Sequence, residues 1–256
     1  MKTLDFMIVG VQKGGTTALS FFLAQHPQLA IAECKEVHLF DAPEYVQGSS
    51  RETINAGYSP HFSGASIDAL WGEATPIYCY WLEIAAELQR YNSALKLIII
   101  LRDPVERAIS QYAMEKARGD ESLPLWLAFL LEPYRLWRDS SRRPGGARRC
   151  HSYCSRGNYN RQLENLRKHF SDEQILVIEN SELNNHHHQS LQKVCNFLQV
   201  SSEQLPEAAT IFSGDYDRSH YPVLRWLLGC YYRWSNRALK RTLIAMGYSP
   251  NWSWLR

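Results

Sequence analysis

Three short apolar runs stand out in the pattern of hydrophobic and polar positions along the chain. They cover residues Phe6 to Gly10, Leu95 to Leu101 and Ile175 to Glu179, and they are nearly continuous rather than alternating. A continuous run rich in Ile, Val and Leu is typical of a strand that is buried on both faces of a parallel sheet. The pattern therefore predicts three buried, parallel strands.

Apolar residues at helical spacing follow each of these runs. Strands that alternate with helices predict right-handed crossovers and an α/β fold, in which a central parallel β-sheet is flanked by helices. Ligands of such a sheet bind beyond the carboxyl ends of its strands. Further helices are predicted over residues 78–91, 159–170 and 222–246. The aromatic residues of the last helix are expected to pack into the core and against other helices rather than to bind nucleic acid, namely Trp226, Tyr231, Tyr232 and Trp234.

Composition and charge indicate a single globular domain and argue against a nucleic-acid-binding or membrane-spanning protein. The chain has 256 residues, of which 45% are hydrophobic, so we expect one domain over residues 1–256. A net charge of +2 is too small to indicate a nucleic-acid partner. No apolar run is long enough to span a membrane, and the first strand follows too closely on Met1 for a signal peptide. With six scattered cysteines, we expect reduced thiols and a cytoplasmic protein.

A glycine-rich turn joins the first predicted strand to the helix after it. Its sequence is Lys13-Gly14-Gly15-Thr16-Thr17. Backbone N–H groups and the dipole of the next helix converge at such a turn, glycine lets the backbone approach a ligand, and lysine adds positive charge. The residue order matches neither G-x-x-x-x-G-K-[ST] nor G-x-G-x-x-G. The turn predicts a site for a phosphate or sulfate group.

A second basic site is predicted after the run that ends at Leu101. Arg102 follows that run, Asp103 suits the N-cap of the next helix and Pro104 suits its first turn. The guanidinium of Arg102 offers a planar fork to a second phosphate, and Ser110 lies two helical turns further on. If the two strands are neighbours, the two basic sites adjoin.

The segment from Arg138 to Arg149 differs from the rest of the chain in composition. It reads RDSSRRPGGARR, which is basic and poor in apolar residues. This composition predicts a mobile surface loop. It leaves open whether the loop is only solvated or gathers an anionic ligand.

Two segments, FMIVGVQKGGTTAL and LIIILRDPVERAISQY, resemble the cofactor-binding segments of sulfotransferases that use 3′-phosphoadenosine-5′-phosphosulfate (PAPS). The resemblance is to the branch that contains the heparan sulfate sulfotransferases and their bacterial relatives. It extends through residues 35–41, 72–78 and 157–198, and so covers most of the chain. It implies a P-loop-NTPase-like sulfotransferase fold, and an enzyme that takes its sulfuryl group from PAPS without a metal ion.

The resemblance also implies roles for individual residues. Glu36 matches the catalytic base of the family, and His38 matches a nearby residue that contacts the acceptor or the base. Residues implied to hold PAPS are Lys13, Gly14, Gly15, Thr16 and Thr17 at the 5′-phosphosulfate, Arg102 and Ser110 at the 3′-phosphate, and Arg218 in a late loop. Residues implied to contact the acceptor are Glu73, Thr75 and Tyr78.

These residue types agree with the chemistry of sulfuryl transfer. As in phosphoryl transfer, charge flows to a leaving phosphate, so that positioning and electrostatics carry the catalysis, and Lys13 can stabilise the departing oxygen. An alcohol acceptor must also lose a proton, which Glu36 or His38 can take. Both side chains face the same side if the segment is extended. The sequence therefore leaves open which of the two is the base.

Two departures from the branch bear on the acceptor. Ala74 stands where the heparan sulfate enzymes usually have Lys in G-E-K-T-P, and residues 213–222 replace their late Lys-Gly-Arg loop before Tyr-Pro. We therefore expect a small hydroxylated molecule as acceptor, as in natural-product biosynthesis; a cylindrospermopsin-type alkaloid is one example suggested by overall likeness. Sulfation of a glycan or an amine, a nucleotide-dependent kinase and a non-catalytic nucleotide-binding module are the open alternatives.

Overall fold

The chain folds into two compact units in the computed structural model. The structure describes residues 2–139, 141, 143–203, 205–207 and 221–255. Unit 1 comprises residues 1–101 and 165–213, and unit 2 comprises residues 102–164 and 214–256. The strands are β1 Phe6–Gly10, β2 Leu29–Ile31, β3 Leu70–Glu73, β4 Lys96–Leu101 and β5 Ile175–Glu179. The helices are α1 Thr16–Leu23, α2 Arg51–Tyr58, α3 Ile84–Tyr91, α4 Pro104–Arg118, α5 Leu125–Arg138, α6 Ala147–Cys150, α7 Tyr159–Arg167, α8 Asn180–Asn185, α9 His187–Leu198 and α10 Pro222–Ala245.

Unit 1 is built on a five-stranded parallel sheet with the order β2-β3-β1-β4-β5. The three strands predicted from the apolar runs are its centre and one edge, and β1 lies beside β4 with Ile8 opposite Ile98. The predicted α/β class with a central parallel sheet flanked by helices is therefore confirmed. The sequence pattern missed β2 and β3, because they have only three and four residues and are only partly buried.

The core of unit 1 lies between the sheet and the helices α1 and α9. The sheet contributes Ile8, Ile98 and Ile178 to one buried cluster. Phe22 of α1 and Val194 of α9 pack into the same cluster. The apolar faces that the sequence predicts for the helices after β1 and β5 are thus the faces that pack against the sheet.

Two helix boundaries differ from the prediction. The helix expected from residue 78 begins at Ile84, because residues 75–83 form successive turns in which Tyr78 N donates to Thr75 O (3.2 Å) and Ile84 N to Trp81 O (2.9 Å). The helix expected to reach residue 170 ends at Arg167, because Lys168 N and His169 N donate to carbonyl oxygens three residues back instead of four.

Unit 2 consists of helices that pack on a second buried cluster. Its members come from α4, α5 and α10 together with Tyr153. Arg107 is fully buried at this cluster, where Nη1 donates to Gln111 Oε1 (2.9 Å) and Nη2 to the Tyr153 carbonyl oxygen. These two hydrogen bonds hold the buried guanidinium to the backbone and side chains of unit 2.

The segment predicted as a mobile loop is helical at both ends. Helix α5 continues to Arg138, and Arg148 and Arg149 lie on α6. Between them, Asp139 Oδ2 accepts a hydrogen bond from Ala147 N (3.1 Å). Asp139 orders this turn because its carboxylate satisfies a backbone donor at the start of α6.

The expectation that the aromatic residues of α10 pack into the core is wrong for three of the four. Tyr232 is buried, and its hydroxyl donates to Cys154 O (2.9 Å). Trp226, Tyr231 and Trp234 are 68%, 55% and 78% exposed. Helix α10 therefore has aromatic residues on both of its sides. Within the described ranges, no helix has a stretch long and apolar enough to cross a bilayer.

Candidate active site

The glycine-rich turn of unit 1 curls back onto the end of β4. Val11 N donates to Ile100 O (3.1 Å), and Gly14 N donates to Val11 O (2.8 Å). A Cβ atom on Gly14 would lie 2.5 Å from Ile100 O and 2.8 Å from Val11 O, so only glycine fits this position. The turn thus depends on a glycine that lets two backbone segments approach each other.

Gly15 joins the turn to helix α1 and is held by a residue from the end of β5. Its φ of 106° lies in the left-handed region that glycine favours. Asn180 Nδ2 donates to Gly14 O (2.8 Å) and would lie 2.6 Å from a Cβ atom on Gly15. Asn180 is not among the residues predicted from the sequence, although its place directly after β5, at the carboxyl edge of the sheet, is a signal for a site residue.

The start of α1 suits an anionic ligand. Its first residues are Thr16 and Thr17, and among the described residues neither a side-chain cap nor an acidic residue occurs in the first turn. The N–H groups of a first turn have no partner inside the helix and carry the positive end of the dipole. Together with Lys13 and the Gly14 cradle, this arrangement fits a phosphate or sulfate group.

Two predicted catalytic residues have unusual backbone conformations. Lys13 has a φ of 67° and His38 a φ of 57°. Only four non-glycine residues of the described ranges have a positive φ, so these two account for half of them. A side chain in this region costs of order 1–3 kcal/mol, and such residues cluster at functional sites. The observation points to the loop around Lys13 and the segment around His38 as a functional region.

His38 lies between two carboxylates. Its Nε2 is 3.3 Å from Glu36 Oε2, and its Nδ1 is 3.0 Å from Asp41 Oδ1. The Asp41 side chain is fully buried, whereas Glu36 and His38 are partly exposed. Lys35 Nζ also donates to Glu36 Oε1 (2.6 Å). The buried Asp41 therefore orients His38, and His38 with Lys35 orients Glu36.

This arrangement determines the charges of Glu36 and His38. Burial by itself would raise the pKa of Glu36, but hydrogen bonds from His38 and Lys35 lower it to about 2. Burial by itself would lower the pKa of His38, but hydrogen bonds to Asp41 and Glu36 raise it to about 9. At neutral pH the site holds a Glu36 carboxylate beside a His38 imidazolium that donates from both ring nitrogens.

The three predicted acceptor-binding residues, Glu73, Thr75 and Tyr78, are buried beneath this segment. Thr75 Oγ1 donates to Glu73 Oε2 (2.7 Å) and accepts from His38 N (3.3 Å). Tyr78 OH accepts from Phe40 N (3.1 Å). In this arrangement their polar groups hold the backbone of the segment that carries His38. A contact of these residues with an acceptor stays a prediction.

Glu73 gives unit 1 a pH-dependent stability that a substitution should remove. Burial raises the pKa of Glu73 to about 8, against the opposing effect of the Thr75 hydrogen bond. Between its ordinary pKa of about 4.5 and 8, the unfolded chain loses this proton while the folded chain keeps it, so the free energy of unfolding falls as pH rises. At about 1.4 kcal/mol per pKa unit, we expect a loss of a few kcal/mol across this window.

Urea unfolding at pH 5 and pH 8 tests this expectation. Glu73→Gln keeps an acceptor for the Thr75 hydroxyl without the titrating proton, and it should make the decline shallower. The part of the decline that remains above about pH 6.5 belongs to His38, whose pKa is raised to about 9. Glu33→Gln, which changes an exposed glutamate, should leave the decline unchanged. An equally steep decline in Glu73→Gln would show that the proton resides elsewhere.

The second predicted basic site belongs to unit 2. Asp103 caps α4 as predicted, since its Oδ1 accepts from Val105 N (2.8 Å) and Glu106 N (3.4 Å). The Arg102 side chain is 17% exposed, and Tyr159 OH donates to its backbone carbonyl oxygen (2.9 Å). Ser110 lies on α4 and is buried. Arg218, predicted to add positive charge, lies outside the described residues.

One group of side chains in the described residues offers ligand atoms within 4.8 Å of one another, as a metal site would. It consists of Glu115, Asp120 and Cys150, near the C-terminal end of α4. Asp120 is exposed, while Glu115 and Cys150 are buried. None of the predicted catalytic or PAPS-binding residues belongs to this group.

Asp41 is the other site residue to which the sequence analysis assigned no role. Its spacing of three from His38 is a signal only in a helix, and residues 35–41 are not helical. The contact forms because the chain turns at His38, whose φ is positive. A reversal of this kind depends on tertiary contacts, including the hydrogen bond between His38 N and Thr75.

Comparisons with known proteins agree on one family. Residues 82–224 match the family described as "Sulfotransferase domain". The chain is 35% identical over 130 residues to the membrane-associated sulfotransferase kil1 of Dictyostelium discoideum, which covers 49% of this chain and 26% of that protein. It is 28% identical over 214 residues to the bifunctional heparan sulfate N-deacetylase/N-sulfotransferase 2 of Homo sapiens, with 78% and 23% covered. The chain thus spans about a quarter of the length of these two relatives.

A solved structure matches the whole chain. The sulfotransferase from Alicyclobacillus acidocaldarius is 27% identical, covers 100% of both chains and superimposes with a TM-score of 0.81. The fold described above is therefore a sulfotransferase fold, as the sequence analysis expected.

Proposed function

We propose, since this chain belongs to the sulfotransferase domain family, that it transfers a sulfuryl group from PAPS to a hydroxyl group. The observation that carries this proposal is the glycine-rich turn, which closes on Gly14 and leads directly into the uncapped start of α1. The backbone of this turn needs glycine at position 14, and the helix that follows has no acidic residue in its first turn. Such a site suits the 5′-phosphosulfate of PAPS.

The remaining PAPS contacts are assigned to the residues named from the sequence. In this proposal Lys13, Thr16 and Thr17 contact the 5′-phosphosulfate, and Arg102 with Ser110 holds the 3′-phosphate. Support for Arg102 comes from its place directly after β4, the strand beside β1. We also propose that both units form one sulfotransferase domain over residues 1–256. The family match at residues 82–224 includes parts of both units, which supports this reading.

PAPS supplies a sulfuryl group activated by attachment to phosphate. In the proposed reaction, the acceptor oxygen forms a bond to sulfur while the bond between sulfur and the phosphate oxygen breaks. Glu36 takes the proton of the acceptor hydroxyl, and Lys13 with the first-turn N–H groups of α1 stabilises the charge left on the phosphate. His38, held by Asp41, keeps Glu36 ionised and oriented. Because the pKa of Glu36 is lowered to about 2, the proton moves to it as the acceptor oxygen bonds to sulfur and loses its own basicity. No step in this scheme uses a metal ion.

For the acceptor, we propose a hydroxyl group of a small molecule, as in natural-product biosynthesis. The support is Ala74, which is fully buried in the core cluster of unit 1, where the heparan sulfate enzymes usually have a lysine. A relative named for heparan sulfate makes a glycan the second candidate. Labelled PAPS offered with a panel of hydroxylated small molecules and heparan sulfate fragments would separate the two.

Calorimetry with nucleotides tests the proposed donor. We expect 3′-phosphoadenosine-5′-phosphate (PAP) to bind more tightly than ADP or ATP, because only PAP engages Arg102 through its 3′-phosphate. Arg102→Ala should weaken PAP binding by about ten- to a hundredfold and leave ADP binding nearly unchanged, since a hydrogen bond to a charged group contributes about 1.5–3 kcal/mol.

Arg118→Ala is the matched control for this experiment, because Arg118 is exposed at the C-terminal end of α4, the helix that follows Arg102. It should leave PAP binding unchanged. Equal affinity of the unaltered chain for PAP and ADP would exclude the proposed role of Arg102. ATP binding that requires Mg²⁺, together with activity lost in EDTA, would favour a nucleotide-dependent kinase instead.

A further inference from the structure

Unit 2 exposes an unusual number of large apolar side chains. Fourteen such side chains are exposed among the described residues, and eleven of them belong to unit 2. Ten of the eleven lie on α5 and α10. Exposed apolar residues are normal when they are scattered, but a concentration of this kind marks an interaction surface.

The exposed side of α5 forms a continuous apolar stripe. Trp126, Leu130, Tyr134 and Trp137 are 57%, 68%, 52% and 80% exposed. Their spacing of four, four and three residues places them on one side of the helix. The single acidic residue of α5, Glu132, is buried and accepts hydrogen bonds from Cys154 N and Ser155 N. The exposed side of α5 therefore carries no negative charge.

The exposed side of α10 combines aromatic and basic residues. Trp226 and Trp234 are 68% and 78% exposed, and Arg233, Arg237 and Arg241 recur every four residues on the exposed side. The Arg237 guanidinium lies 5.8 Å from the centre of the Trp234 ring. Helix α10 has 24 residues and none of them is acidic. The exposed side of α10 is called the outer face below.

Both helices pack their inner sides into one cluster, to which α5 contributes Phe129 and α10 contributes Leu228 and Tyr232. The outer face is therefore not needed for the core of unit 2. A helix with apolar residues on both sides normally has both sides covered. The molecule that covers the outer face must accept aromatic rings and positive charge at the same time.

We propose that the outer face docks onto a membrane surface that contains anionic lipids. Tryptophan and tyrosine rings are favoured at the headgroup level of a bilayer, and arginines next to them attract anionic headgroups. Helices with such faces lie in the plane of the interface without crossing the membrane. A second copy of the chain is a poorer partner, because a symmetric contact of this face with itself brings like charges together.

Vesicle flotation of the full chain tests the docking. The chain should float with vesicles of phosphatidylcholine mixed with phosphatidylglycerol and not with vesicles of phosphatidylcholine alone, and added salt should weaken its binding. Tryptophan emission should shift to shorter wavelength on binding. Trp226→Ser combined with Trp234→Ser, and separately Arg233→Gln combined with Arg237→Gln and Arg241→Gln, should each weaken vesicle binding by at least about tenfold.

Two controls match these variants. Ile67→Ser changes a side chain of unit 1 that is 65% exposed, and Arg118→Gln combined with Arg161→Gln changes exposed arginines of unit 2 that lie on α4 and α7. Both controls should bind vesicles like the unaltered chain. Thermal melting followed by circular dichroism checks that every variant folds; if the tryptophan variant does not fold, the arginine variant alone decides.

Three results would overturn the proposal. One is failure of the unaltered chain to bind anionic vesicles at physiological salt. Another is vesicle binding that the arginine variant retains in full. The third is self-association in sedimentation velocity that the tryptophan variant abolishes while vesicle binding persists, which would assign the outer face to a second copy.

Discussion

Replacing Glu36 by glutamine is expected to lower the turnover number by on the order of 10²- to 10⁴-fold, the usual contribution of a general base. Glutamine keeps the size of the side chain and an acceptor for His38, but it cannot take a proton from the acceptor hydroxyl. PAP affinity should stay within about twofold of that of the unaltered chain, because Glu36 acts on the acceptor. Steady-state kinetics with labelled PAPS, alongside calorimetry with PAP, measures both quantities.

Glu33→Gln is the matched control, because it makes the same change at an exposed glutamate three residues earlier. Its turnover should equal that of the unaltered chain. If Glu36→Gln keeps full turnover, Glu36 is not the base. If PAP affinity falls in parallel with turnover, the substitution has disturbed the PAPS site instead.

The pH dependence of turnover separates the two possible bases. The pKa of Glu36 is lowered to about 2, so its carboxylate is ionised throughout the range from pH 5 to pH 8, and turnover should be flat there. The pKa of His38 is raised to about 9, so a neutral imidazole becomes available only near that pH. A profile that climbs steadily towards pH 9 would assign the base to His38 and leave Glu36 an orienting role.

Replacing Gly14 by alanine is expected to abolish PAP binding that is measurable by calorimetry and to lower turnover by at least about a hundredfold. The new Cβ atom would lie within 2.8 Å of two backbone carbonyl oxygens, those of Ile100 and Val11. Neither oxygen belongs to a flexible side chain, so the turn itself must move. A displacement of about 1 Å in a positioning element costs on the order of a hundredfold in rate.

Gly229→Ala provides the control for this change. Gly229 lies in α10, and apart from its chain neighbours and the backbone of its own helix, no described atom is within 4 Å of the place its Cβ would occupy. PAP binding should be unaltered in this variant, and stability should rise slightly because alanine is the better helix former. Gly14→Ala protein that is folded and still binds PAP normally would show that the turn is not the nucleotide cradle.

Long elements and their buried faces were predictable from the sequence. Strands β1, β4 and β5 have continuous apolar runs, and α10 ends within one residue of its predicted end. Elements of three or four residues, such as β2, carry no periodic signal. The start of α3 could not be predicted, because the preceding residues are equally apolar but are held in turns by tertiary contacts.

The part of the candidate site that consists of consecutive residues was predictable from the sequence. Residues 13–17 are contiguous, and their loop forms as the glycine pattern indicates. Asn180 contacts that loop from 166 residues away, and no local pattern carries such a contact. The pairing of His38 with Asp41 depends in the same way on a reversal of the backbone that residues 73–78 support.

One edge of the sheet ends in β2, a strand of only three residues. Its outward side offers few N–H and C=O groups, so a strand from another molecule finds little there to pair with. Intermolecular growth of the sheet, the first step towards amyloid-like aggregation, is therefore disfavoured at this border even though the interior strand β4 consists almost entirely of Ile and Leu.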